Sequence, residues 1–158
     1  MFAYQLACRQ DMLWWQELLR SWNGRSYFLE PWYTPAVDLL VQTDAALTVG
    51  YGAICGQEWF SGTLTELQAS CCITYMELYP ISLACSTWGH KWTAKRIVFE
   101  TDNQAVAACI SSGTCRCKNV MSLLRPMLFI CAKNNFFVSA TYLPSVCNTT
   151  ADALSRQD

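Results

Sequence analysis

Charge is scarce in this sequence. Only 15% of the 158 residues are charged, 11 Lys and Arg against 12 Asp and Glu, and there is a single histidine. The net charge of −1 removes the basic balance typical of a free-standing nucleic-acid binder. No run approaches the roughly 20 consecutive apolar residues that a membrane-spanning helix requires, and no membrane partner is expected. The first 22 residues, MFAYQLACRQDMLWWQELLRSW, have no basic leader and carry Arg9, Asp11 and Glu17; they read as a poor signal peptide, and the expected setting is intracellular, cytoplasmic or nuclear. There is no CxxC among the ten cysteines: Cys71 and Cys72 are adjacent, and Cys115 and Cys117 flank one residue. That spacing fits no zinc pattern, and without a secretory signal the cysteines read as reduced thiols and small buried apolar residues. Repeats, low-complexity tracts and charge runs are also lacking.

What is present is apolar. The AVILMFWYC residues make up 53% and aromatics 13%, which excludes intrinsic disorder, and the length suits one domain with a sizeable core. A mean hydropathy of +0.14 is high for a free-standing domain and predicts surface made for a partner, as in a piece of a larger protein.

Periodicity predicts a helix over 10–22 ended by Asn23-Gly24, then an irregular connector over 25–36 with Pro31 and Pro35. Strands follow at 37–44, 51–55 and 58–63, with a turn at 45–50. A long helix is predicted over 74–92, a buried strand over 95–101, helices over 104–111 and 118–133, a strand over 136–142 and a last helix over 149–156. Three early strands in hairpins, then two joined through helices, imply an α/β fold: a mixed five-stranded sheet covered by helices.

Four acids stand in unusual places. Asp44 ends an apolar strand, Glu77 sits on an apolar helix face, Asp102 marks a strand-to-helix junction, and Asp152 opens the last helix. Singly, each has a plain reading as a cap, a dipole partner or a surface group. Together they can converge, because the ends of the first and fourth strands can be neighbours in a mixed sheet. Carboxylates so gathered repel one another unless divalent cations neutralise them, and all-oxygen ligands select Mg²⁺ or Mn²⁺. Two such ions suit in-line displacement at phosphorus. Setting these four aside leaves 8 acids against 11 Lys and Arg for the remaining surface.

The strings VQTDAALTVGYGAI, TYMELYPISLACSTW, IVFETDNQAVAACI and NTTADALSR resemble, in order, the four acidic motifs of the ribonuclease H family over about three-quarters of the chain. The closing ADALSR and the upstream LWWQELLRSWNG more narrowly resemble reverse-transcribing elements, most of all tyrosine-recombinase (DIRS/Ngaro-like) retrotransposons. The resemblance implies a ribonuclease H-like sheet with helices on both faces. Residues 1–36 would be a remnant of an upstream reverse transcriptase or connection region, and 37–158 the ribonuclease H-like domain. Asp44, Glu77, Asp102 and Asp152 match the family's metal-binding carboxylates, which implies two Mg²⁺ or Mn²⁺ ions. The implied activity is hydrolysis of the RNA strand of RNA–DNA hybrids during reverse transcription, with a polymerase domain in the same polyprotein as partner.

Asn103 and Gln104 fall where substrate-contacting polar residues occur, and a helix N-terminus there offers backbone amides to a phosphate; both are equally ordinary first-turn residues. Gly50, with Gly52, reads either as room for the minor groove or as a turn and packing glycine. The sequence also departs from the resemblance. Many relatives carry a histidine in the loop before the last acid; TYLPSVCNTTAD has none, and the single His90 lies beside Trp88 and Trp92 as a structural or surface residue. No dense basic segment follows residue 104, leaving Arg116, Lys118, Arg125 and Lys133 to meet phosphates or simply solvent. Helical spacing assigns Trp14-Trp15 and Trp88/Trp92 to packing or docking, not base stacking. The alternative to an active nuclease is an inactive or domesticated retroelement fragment serving as an interaction module.

Overall fold

The computed structural model describes residues 2–22, 37–46 and 49–157. The Asn23-Gly24 stop, the 25–36 connector with its boundary at 36, and residues 47 and 48 of the first turn lie outside the described residues. In chain order the elements are α1 (Phe2–Ser21), β1 (Leu39–Ala46), β2 (Gly50–Cys55), β3 (Glu58–Gly62), α2 (Glu66–Ala69), α3 (Ile73–Trp88), β4 (Arg96–Thr101), α4 (Gln104–Ser112), α5 (Lys118–Asn134), β5 (Phe137–Tyr142) and α6 (Thr149–Arg156). Short 3-10 turns, Gly89–Lys91 and Ser145–Cys147, follow α3 and β5. The strands lie in the order β3-β2-β1-β4-β5. The β1–β2 and β2–β3 pairs are antiparallel, and the β1–β4 and β4–β5 pairs are parallel. This is the expected mixed sheet.

Boundaries differ where local chemistry overrides periodicity. β1 continues to Ala46, so Asp44 lies inside the strand. The long helix stops at Trp88, where Gly89 favours a tighter turn over another α-helical one. The unanticipated α2 rests on a capping box: the Thr65 N–H donates to Gln68 Oε1 (2.8 Å), and the Gln68 N–H donates to Thr65 Oγ1 (3.3 Å). It buries no residue, so it leaves no hydrophobic period to read.

Strand alternation sorts the two faces of the sheet. Val41, Ala53, Ile97, Phe99 and Val138 pack with α3, α4 and α5 in one core. A chain of rings, Phe60–Trp88–Trp92–Phe136, crosses it with centroids 5.0, 6.0 and 5.4 Å apart, confirming the packing role of Trp88 and Trp92. On β1 and β2, residues of opposite parity face α6. A Cβ on Gly52 would stand 2.5 Å from the Leu154 Cβ and 2.9 Å from the Ser155 nitrogen. The missing side chain is therefore what lets α6 lie on β2. Gly52→Ala is expected to lower stability by about 1–3 kcal/mol in chemical denaturation, because helix backbone cannot yield as a side-chain tip can.

The first helix docks on α5. Trp14 stacks on Phe129 at 5.1 Å and 14°, Asp11 pairs with Arg125, and Glu17 pairs with Lys133 at 2.5 Å. Its Met12, Trp15 and Leu19, at helical spacing, remain exposed. No helix among the described residues is long and apolar enough to cross a membrane.

Candidate active site

The register of the parallel pair brings two of the acids together. Leu39↔Ile97 through Gln42↔Glu100 keep a constant offset, which carried two residues further sets Asp44 level with Asp102. Both lie toward the carboxyl ends of parallel strands, the usual place for a ligand in α/β sheets. Helix α3 packs across β1 and β2 and carries Glu77 between the buried Met76 and Leu78. One carboxylate oxygen from each of Asp44, Glu77 and Asp102 lies within 4.8 Å of the others. Asp44 is 6% and Glu77 5% exposed, too buried for the ordinary reading of either as a surface group, while Asp102 is half-buried.

Burial dominates the electrostatics. Loss of water pushes the Glu77 carboxyl from 4.5 up to about 9, with help from the charges of Asp44 and Asp102 and against the Ala45 backbone N–H. Asp44 is also raised, chiefly by burial; the Ser155 hydroxyl opposes the shift, Asp102 and Asp152 add to it, and Arg156 opposes it. Glu77 Oε2 is buried with no hydrogen-bond partner among the described residues. An orphaned oxygen on a buried carboxylate that has two others beside it is costly on its own and well suited to a hard divalent cation. These donors fit Mg²⁺ or Mn²⁺.

Asp152 stands outside this close group. It lies in the first turn of α6, half-exposed, and its Oδ1 accepts from Arg156 Nε at 2.8 Å. Its charge nonetheless reaches Asp44.

Three supporting residues were not singled out from the sequence. Ser155 Oγ donates to Asp44 Oδ2 and Ser145 Oγ to Asp102 Oδ2, each at 2.6 Å. Asn148 Nδ2 donates to the Thr43 carbonyl at 3.0 Å, tying the start of α6 to the strand that holds Asp44. The signal was available in NTTADALSR, where Asn148, Asp152 and Ser155 recur at helical spacing, but only a fold shows which strand they meet.

The other expected site residues separate. Gln104 is exposed in the first turn of α4, beside Asp102. Asn103 caps that helix, its Oδ1 accepting from the Ala105 and Val106 N–H groups at 3.0 and 3.2 Å, so those amides are not open to a phosphate. Gly50 is buried, and a Cβ there would stand 2.2 Å from the Gly62 oxygen. The close approach of β3 meets the packing reading of this glycine, one of its two. Two of the four cations considered for phosphate contact, Arg125 and Lys133, are held by α1. His90 is exposed in the turn after α3, 13 positions beyond Glu77, or about 20 Å along a helix. It takes no part in the site.

A mixed sheet flanked by helices, with three carboxylates gathered at the ends of its central strands, defines a carboxylate-centred α/β domain. Its fold is the ribonuclease H fold. No family model matches the sequence, and no curated protein matches it. Among solved structures, RNase H1 of the archaeon Halobacterium salinarum is similar with a TM-score of 0.59 at 14% identity, over 73% of this chain and 92% of that one. LC11-RNase H1 from compost, solved with an RNA/DNA hybrid, gives 0.54 at 15%, over 73% and 92%. The foamy viral protease-reverse transcriptase, also in complex with an RNA/DNA hybrid, gives 0.53 at 14%, over 86% of this chain and 21% of that one.

Proposed function

We propose that the chain is a metal-dependent endonuclease that hydrolyses the RNA strand of RNA–DNA hybrids during retroelement reverse transcription, leaving 3′-hydroxyl and 5′-phosphate ends. The observation that carries this reading is the gathering of Asp44, Glu77 and Asp102 within 4.8 Å on a ribonuclease H fold. Asp44, Glu77, Asp102 and Asp152 would hold two Mg²⁺ or Mn²⁺ ions. When bound, such ions lower the pKa of a coordinated water and offset charge on the phosphorus oxygens.

The residues of the chain orient and select. Ser155 and Ser145 hold one oxygen each of Asp44 and Asp102, fixing the direction of the remaining lone pairs. Asp152, half-exposed and tied to Arg156 by an ion pair at the surface, would swing toward a substrate-bound ion. Gln104, exposed in the first turn of α4, would meet the sugar-phosphate backbone, and discrimination of a hybrid would rest on shape and 2′-hydroxyl contacts.

The similarity to a reverse transcriptase supports the polyprotein setting. Residues 37–158 are 122 of the 158, whereas that match spans 86% of the chain and so extends into the N-terminal part. The exposed Met12, Trp15 and Leu19 of α1 suit a neighbouring polymerase domain, with 1–36 as the remnant of its connection region. LWWQELLRSWNG and ADALSR support a tyrosine-recombinase retrotransposon as the source. The second reading, an inactive fragment kept as an interaction module, is favoured by the capture of Arg125 and Lys133 by α1 and by the histidine-free loop.

A labelled hybrid incubated with the protein and Mg²⁺ or Mn²⁺ separates the two. Cleavage confined to the RNA strand and abolished by EDTA supports the nuclease; partner binding with no cleavage, even with the polymerase attached, supports the module. Ser155→Ala is expected to weaken Mn²⁺ binding, read by calorimetry, roughly 10-fold or more, while Ser155→Thr keeps most of it.

A further inference from the structure

Five of the ten cysteines collect where α3 and α5 begin. Cys71 and Cys72 immediately precede α3, Cys115 and Cys117 precede α5, and Cys109 lies near the end of α4. Although 45 positions apart in sequence, the Cys72 and Cys117 sulfurs lie 3.9 Å apart. Asn119 Nδ2 reaches Cys71 Sγ at 3.6 Å, and the Cys115 thiol is close enough to Cys109 to raise its pKa. Among the described residues only Asp44, Glu77 and Asp102 bring three metal-ligating atoms within 4.8 Å, so the thiols are arranged as pairs and not as a metal cage.

We propose that Cys117 and Cys72 form a thiol–disulfide exchange site for a low-molecular-weight disulfide of the glutathione class, with Cys117 attacking and Cys72 resolving. The Cys117 thiolate displaces one glutathione thiolate from the disulfide, forming a mixed disulfide. The Cys72 thiolate then attacks Cys117 Sγ, releases the second glutathione and closes the Cys72–Cys117 bond. Two protein thiols are oxidised, one glutathione disulfide is reduced to two glutathione molecules, and the two thiol protons end on them.

Position assigns the roles. Cys117 is the N-cap of α5, where backbone N–H groups of the first turn lack helical partners. The Val120 amide, against burial and with help from the Asn119 amide and the Cys72 thiol, holds its pKa below the ordinary thiol value. Cys72 is the exposed N-cap of α3. The neighbouring Cys109 is the contrasting case: burial, then Cys115, raises it to about 11, which keeps it protonated. The bond would staple the starts of α3 and α5, next to an α2 that buries no residue of its own.

The reduced full chain is incubated with glutathione disulfide and followed by alkylation with peptide mass mapping and by thermal melting. The expected result is a linked Cys72–Cys117 peptide, modification of Cys117 ahead of the exposed Cys8 and Cys147, and a Tm rise of roughly 5–10 °C reversed by dithiothreitol. Cys72→Ser should stop at a glutathione adduct on Cys117 with no rise. Cys117→Ser should slow modification of Cys72 roughly 10-fold. Serine is a good N-cap, so both variants keep their helices. The proposal is overturned if the wild type stops at adducts, links other cysteines, or shows no Tm rise on linking, or if Cys117→Ser leaves the rate at Cys72 unchanged.

Discussion

Asp44→Asn is expected to lower cleavage of hybrid RNA by about three orders of magnitude while leaving the fold intact. The amide keeps the shape of the carboxylate, and the Ser155 hydroxyl retains an oxygen to bond, so the buried space stays filled. What is lost is one anionic ligand from the place where β1 and β4 run side by side. The same change removes a charge that raises Glu77, so the metal-free variant should melt no lower than the wild type. Single-turnover cleavage of a labelled hybrid in Mg²⁺, beside circular dichroism melting in EDTA, checks both halves. Asp102→Asn should behave alike. Retention of more than a tenth of the rate by both variants contradicts the assignment.

The second large effect concerns Glu77. Its carboxyl is at about 9 in the folded, metal-free protein against 4.5 when solvated, so the folded state holds a proton that the unfolded state gives up. Stability from this group is therefore fully present below pH 4.5 and is lost as pH rises toward about 9. At about 1.4 kcal/mol per unit, the loss between pH 5 and pH 8 amounts to a few kcal/mol. Glu77→Gln should abolish most of that slope and be the more stable protein at pH 8 in EDTA. Divalent cations should reverse the ranking, since they bind the carboxylate and not the amide. Urea melts at pH 5 and pH 8, with EDTA and with Mg²⁺, read out the four combinations. A flat wild-type profile in EDTA would show that Glu77 is not held where the fold places it.

The strands, the order of helices and the acids were legible because each has a local cause. Val41, Phe99 and Val138 sit in short apolar runs, and Gly113, at φ +66°, ends α4 where the sequence already stops it. The convergence of Asp44 and Asp102 was readable once strands one and four were neighbours, since parallel register does the rest. The supporting contacts were not. Ser155 bonds Asp44 across 111 positions and Ser145 bonds Asp102 across 43, distances over which neither hydrophobic period nor capping chemistry speaks. The same limit hid the pairing of Cys72 with Cys117 and the capture of Arg125 and Lys133 by α1. Gly50 was open in a different way: a glycine in a hairpin signals close approach, but not whether a duplex or a β3 carbonyl does the approaching.

Anomalous diffraction from crystals soaked in Mn²⁺ tests the central claim most directly, because the scattering identifies the ion and its ligands together. The account predicts a manganese peak coordinated by Asp44, Glu77 and Asp102, absent in crystals of Asp44→Asn. Manganese bound only elsewhere, or a peak unaffected by that substitution, would contradict it.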